Sequence, residues 1–211
     1  MKRTFATVMI CSLALAACAT DDDDDLETPP PDGTAVDAIE TRAIVNPLSP
    51  VVGFEQFNLS ETWGSCGSHS GAVAIAKLEH DGKVVDVKAI EKALYYNYGG
   101  RVDGGPGAVT LEGVYNKYFK AHGMPYKAVL FHSSSSVLHY IDTGSPVVAH
   151  TSQWGGHYVA IYGLVGGEVY FSDGCVSDGV SASLPRGNLK KWAWSTFLHY
   201  AKGDYIAFVH L

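Results

Sequence analysis

Two periodicities divide the chain. From about residue 68 to residue 142 apolar positions recur at helical spacing. From residue 145 onward they run in short blocks bounded by glycines, as strands do. "SHSGAVAIAKLEHDG" predicts a first helix, with Ala72, Ile75 and Ala76 on one face and Gly82 at its end. "DVKAIEKALYYNYGG" predicts a second, opened by Asp86 as N-cap and stopped by Gly99 and Gly100. A glycine-rich loop leads into a third helix ending at Gly123, then the extended piece "PYKAVLF", then a capped helix in "HSSSSVLHYIDTG". "SPVVAHTSQ" reads as a strand. His157 to Leu164 and Glu168 to Asp173 read as two strands joined at Val165-Gly166-Gly167. "LPRGNLKKWAWSTFLHYAKG" predicts a helix and "DYIAFVHL" a closing strand. Helices first and an antiparallel sheet second is an α+β arrangement.

Ahead of this domain the pattern changes. Lys2 and Arg3 precede the apolar stretch "TFATVMICSLALAA", which has the length of a targeting segment and not of a membrane span. Leu15-Ala16-Ala17-Cys18 resembles the bacterial lipobox, which implies cleavage after residue 17 and a lipid anchor on Cys18. Residues 18–50 carry nine acids, one base and "TPPPDG", so they are expected to form a disordered tether that cannot bury a core. Ala19 stands where an Asp would mark inner-membrane retention, which points to the outer membrane of a bacterial envelope.

Charge narrows the partners. The chain carries a formal −7, but residues 51–211 hold twelve bases and thirteen acids. The folded part is nearly neutral and has no basic stripe, so a nucleic-acid partner is not expected. The expected partner is a peptide or protein substrate met by a monomer.

The chemistry centres on "ETWGSCGSHSGAVAIA". Cys66 opens the first helix, where free N–H groups and the macrodipole favour a thiolate. His157 follows Gly155-Gly156 at a strand start, and Asp173 ends the next strand of the same hairpin. Folding at Gly166-Gly167 sets those ends side by side, so a carboxylate can orient an imidazole that faces the sulfur. Read alone, Cys66 is also compatible with an inert buried thiol or a disulfide to Cys175 in an oxidising compartment. Tyr95, Tyr96, Tyr98, Trp154, Trp192 and Trp194 are assigned to the core. Gly67, Trp154 and Gly156 are candidates for the substrate cleft. His132, His139, His150 and His157 follow no metal-ligand spacing, and no cofactor or metal is called for.

"QFNLSETWGSCGSHSGAVAIA" followed by "GHYVAIYGLVGGEVYFSDG" resembles the bacteriocin-processing peptidase-like branch of the papain-like cysteine peptidases over residues 54–211. The resemblance implies a papain-like fold, with N-terminal helices packed on a C-terminal antiparallel sheet. It also implies cleavage of amide bonds by Cys66 as nucleophile, His157 as general base and acid, Asp173 as orienting residue, and Gln56 in the oxyanion hole. Two other readings stay open at this point: a non-catalytic binding module on the same fold, inactive or disulfide-gated, and a transglutaminase-like acyl transferase.

Overall fold

The computed structural model describes residues 65–79, 85–102, 104–152, 156–173 and 188–211. The elements run α1 (Cys66–Glu79), α2 (Val87–Lys92), a π-helical turn (Ala93–Asn97), α3 (Ala108–Ala121), β1 (Tyr126–Phe131), α4 (Ser134–Asp142), β2 (Val147–Thr151), β3 (His157–Val165), β4 (Glu168–Asp173), β5 (Asn188–Ala193), α5 (Trp194–Tyr200) and β6 (Ala201–His210). The six strands form one sheet in the order β1-β6-β2-β3-β4-β5, every pairing antiparallel.

Two apolar layers cover this sheet. Val148, Tyr158, Ala160, Ile206 and Phe208 face α1, α2 and α3. Val147, Ala149, Val159, Ile161, Tyr205 and Ala207 face the other way, toward Val137 and Ile141 of α4 and Trp194 and Phe197 of α5. The side chains alternate between faces, yet both faces are buried. That is why β2, β3 and β6 read as nearly unbroken apolar runs.

Helix α1 is made of small residues because α3 packs closely against it. A Cβ on Gly67 would come within 2.6 Å of Leu111 Cδ1, and one on Gly71 within 2.1 Å of Tyr115 Cε1. Glycine costs helix propensity, but here the buried contacts it permits outweigh that cost. Asp86 caps α2 as expected, accepting from the Ala89 N–H at 3.1 Å. At α4 the expected cap differs: Ser133 is the N-cap residue but makes no cap hydrogen bond, and its hydroxyl pairs with that of Ser135 at 2.7 Å.

The predicted helix in "LPRGNLKKWAWSTFLHYAKG" is corrected by the sheet. Residues 188–193 form β5, with Trp192 opposite Val169 and Lys190 opposite Phe171, and only Trp194–Tyr200 is helical. The open edge of β4 offers ladder hydrogen bonds and an edge-to-face contact between Phe171 and Trp192, with centroids 4.9 Å apart. Tertiary pairing of this kind overrides local propensity. The closing strand starts earlier than expected, at Ala201. Among the aromatics assigned to the core, Tyr95 and Trp194 are buried, but Tyr96 is 54% exposed. It sits on the π-helical turn, whose wider winding carries it to the outer face.

Candidate active site

The hairpin positions two of the three expected groups. Gly166 and Gly167 take φ of 58° and 79°, the left-handed conformation a tight two-residue turn needs. Strand β4 then returns along β3, with Asp173 paired to Val159, two residues from His157. Asp173 is fully buried, and its Oδ1 accepts from His157 Nε2 at 2.7 Å. Its other oxygen, Oδ2, accepts from Lys190 Nζ of β5 at 2.8 Å.

Cys66 arrives from the opposite layer as the first residue of α1. It is a free thiol, partly exposed, and its side chain is hydrogen-bonded to His157. With Nε2 committed to Asp173, Nδ1 is left for the sulfur. The structure thus brings Cys66, His157 and Asp173 together from three elements. Supporting bonds hold that arrangement. The Ser70 hydroxyl donates to the Tyr158 carbonyl at 2.7 Å, tying α1 to β3 one residue past His157. The Tyr115 hydroxyl donates to the Gly67 carbonyl at 2.7 Å, and Thr151 donates to the His157 carbonyl at 3.2 Å.

The electrostatics favour a sulfur–imidazole ion pair. Burial pushes the Cys66 thiol up. The hydrogen bond and charge of His157, together with backbone N–H groups of Tyr158 and Gly67, outweigh it and bring the thiol below its ordinary value. Burial opposes the charged form of His157 too, but the hydrogen bonds to Asp173 and Cys66 and their charges hold the ring up at about 9. Asp173 is pushed up by burial and brought below the usual carboxylate range by His157 and Lys190. These directions agree: the sulfur gives up its proton more easily and the ring keeps its own.

The other expected positions divide. Gln56, Trp154, Cys18 and Cys175 lie outside the described residues. Gly67, expected beside the substrate, is buried, and its bare Cα faces Leu111. Gly156 is half-buried next to His157, with φ of 129°. Of the four histidines expected to be scattered, two share a partner. His132 Nδ1 and His150 Nδ1 both contact the Asp204 carboxylate, at 3.1 Å and 3.4 Å. Among the described residues no three His, Cys, Asp or Glu side chains are grouped to hold a metal ion. Sequence reasoning missed Lys190. Only pairing of residues 188–193 on the edge of β4 places this lysine beside Asp173.

The model of the Peptidase_C39 like family matches residues 50–202, and the chain belongs to that family of cysteine peptidases. Three solved structures illustrate the likeness. The peptidase domain of Streptococcus ComA, a bifunctional ABC transporter of a quorum-sensing pathway, is 15% identical, with 70% of this chain and 92% of that one covered and a TM-score of 0.48. A double-glycine-motif protease from an AMS/PCAT transporter, in complex with the leader peptide, is 17% identical, with coverage of 69% and 84% and a TM-score of 0.45. A C39-like peptidase from Bacillus anthracis is 19% identical, with coverage of 72% and 92% and a TM-score of 0.43. None of the curated proteins matches the sequence.

Proposed function

We propose that this protein hydrolyses peptide bonds in peptide or protein substrates, with Cys66 as nucleophile, His157 as general acid and base, and Asp173 as the group that orients His157. One observation carries the reading: a free thiol at a helix N-terminus, hydrogen-bonded to a histidine whose other nitrogen meets a buried carboxylate at 2.7 Å. Each group has a defined task. The Cys66 thiolate attacks the scissile carbonyl carbon, a C–S bond forms, and charge moves onto the carbonyl oxygen. Gln56, with the Cys66 N–H, is the proposed donor pair for that oxygen. Protonated His157 then gives its proton to the leaving amine as the C–N bond breaks. In the second half, His157 takes a proton from water, hydroxide adds to the thioester, and the acid product leaves as Cys66 regains its ion pair with His157. Asp173 stays charged throughout and fixes the ring that moves the proton.

The setting follows from the N-terminal sequence. Lipidation at Cys18 and the acidic tether of residues 18–50 would hold a monomeric catalytic domain off a bacterial envelope membrane, the outer one by Ala19. Membership of a peptidase family favours the hydrolase over the non-catalytic alternatives, and the partner a disulfide gate would need, Cys175, lies outside the described residues. The test is Cys66→Ala. Wild type should be labelled by an electrophilic thiol probe at residue 66 and should cleave generic peptide pools. The variant should lose labelling and drop at least about 10⁴-fold in turnover. Wild type that matches the variant in both assays ends the proposal, and amine incorporation in preference to hydrolysis moves it to acyl transfer.

A further inference from the structure

The wall beside His157 carries charged chemistry that the bond-breaking step does not use. In the sheet, His150 of β2 stands opposite Tyr158 of β3, and the two rings stack with centroids 4.5 Å apart and planes 11° from parallel. Behind the His150 ring, Nδ1 faces Asp204 Oδ2 at 3.4 Å, and Asp204 is held in turn by His132. Stacking and the carboxylate fix the ring, so Nε2 must point away from Asp204. It points to the space over Gly156. A Cβ built on Gly156 would lie 3.3 Å from His150 Nε2 and 3.4 Å from Lys202 Nζ. Lys202 is exposed, and His150 keeps a fifth of its side chain open to solvent. Neither Lys202 Nζ nor His150 Nε2 has a hydrogen-bond or ion-pair partner among the described residues. Among the described residues, two nitrogens therefore converge on one point, one residue from the proposed general acid, where any side chain at position 156 would stand in the way.

We infer that His150 and Lys202 form a subsite over Gly156 that binds a substrate carboxylate next to the scissile bond. The inference rests on the peptidase reading and adds a substrate class to it: peptides acidic at the residue next to the cleavage point or one further away. Lys202 supplies a permanent charge. His150 supplies a directed N–H once its ring is protonated, and Asp204 at Nδ1 leaves Nε2 as the nitrogen that faces the ligand. In the free protein burial lowers the pKa of His150 and Lys202 and His157 lower it further, against the raising effect of Asp204. These groups, with the Tyr158 ring, are the titratable and charged neighbours that face it. A bound carboxylate is the anion that would let the ring keep its proton, so recognition strengthens toward acidic pH.

The test uses the full chain and acetyl-capped dipeptidyl acyloxymethyl ketones that alkylate a reactive cysteine. Asp, Asn or Lys is placed first or second from the ketone, with Ala at the other position, and the rate of Cys66 labelling is read by mass. At pH 6 the Asp probe should react about tenfold faster than the Asn probe at one of the two positions, the size of one charge-assisted contact. Lys202→Glu should erase that preference and favour the Lys probe, whereas Lys191→Glu, on the surface against Glu168, should leave it intact. Acetylated dipeptide acids and their amides, added as competitors of the Asn probe, separate the sources. Protection by the acids alone, lost in Lys202→Glu, assigns the subsite to a chain terminus, and the Asp-probe preference assigns it to a side chain. The inference is overturned if carboxylates are discriminated in neither format, or if discrimination survives Lys202→Glu. If no probe labels Cys66, the peptidase reading itself falls.

Discussion

Two buried histidine–carboxylate pairs flank the start of α1, and they are unlike in every respect but composition. His157 Nε2 meets Asp173 Oδ1 at 2.7 Å, the second ring nitrogen serves the Cys66 sulfur, and the second carboxylate oxygen meets Lys190. His69 Nδ1 meets Glu91 Oε2 at 3.1 Å, but among the described residues His69 Nε2 and Glu91 Oε1 have no hydrogen-bond partner. The first pair spans two strands of one hairpin and opens onto the Cys66 sulfur. The second joins α1 to α2 inside the helical layer, and no described nucleophilic side chain is bonded to it. A buried imidazole–carboxylate contact is therefore not by itself a site. What sets His157 apart is that both of its nitrogens and both oxygens of its partner have work assigned by neighbouring elements.

Conservative amide substitutions sharpen this contrast most. Asp173→Asn should lower kcat/KM about 10²–10⁴-fold, because an amide favours the wrong ring tautomer. Glu91→Gln should leave kcat/KM within about threefold while lowering folding stability by about 1–3 kcal/mol, since a buried polar contact is weakened. Steady-state assays beside denaturant unfolding of both variants check the pair. Equal losses of activity would erase the distinction drawn between the two pairs.

Lys190 offers a smaller effect. Lys190→Met removes a cation from Asp173 Oδ2, which lets the carboxylate support the imidazolium more strongly. The alkaline limb of the activity profile, set by His157 at about 9, should move to higher pH, and neutral-pH kcat/KM should fall about 3- to 10-fold as Asp173 loses a fixed partner. Lys190→Arg should restore the limb. A pH–rate profile that superimposes on wild type would reduce Lys190 to a surface contact.

The smallest effect is on stability. The folded pKa of His157 is raised above its unfolded value, so its contribution is complete below about 6.5 and declines as pH rises through about 9. Wild type should lose stability over that window, and Asp173→Asn should flatten the slope. Thermal unfolding across pH 6 to 10 measures both. An unchanged slope in Asp173→Asn would place the source of the loss elsewhere.

Much of this arrangement was legible in the chain before folding. Helical spacing located α1 and α3, the Asp86 cap located α2, and two glycines between apolar strand runs located the hairpin that brings Asp173 back to His157. All of these are short-range effects: periodicity, a cap, a turn needing positive φ. Lys190 stayed hidden because "NLKKWA" has no local preference strong enough to declare a strand, and only the open edge of β4 makes it one. The convergence of His132 and His150 on Asp204 was equally unreadable, since it joins two strands and the residue that follows β1, up to 72 residues apart. The chain by itself determined which groups could carry chemistry and which turns would aim them. The tertiary structure alone decided that Lys190 closes on Asp173 and that His132 and His150 meet at Asp204, because those contacts rest on strand edges and layers packing around one sheet, and packing is a property of distances that no local pattern encodes.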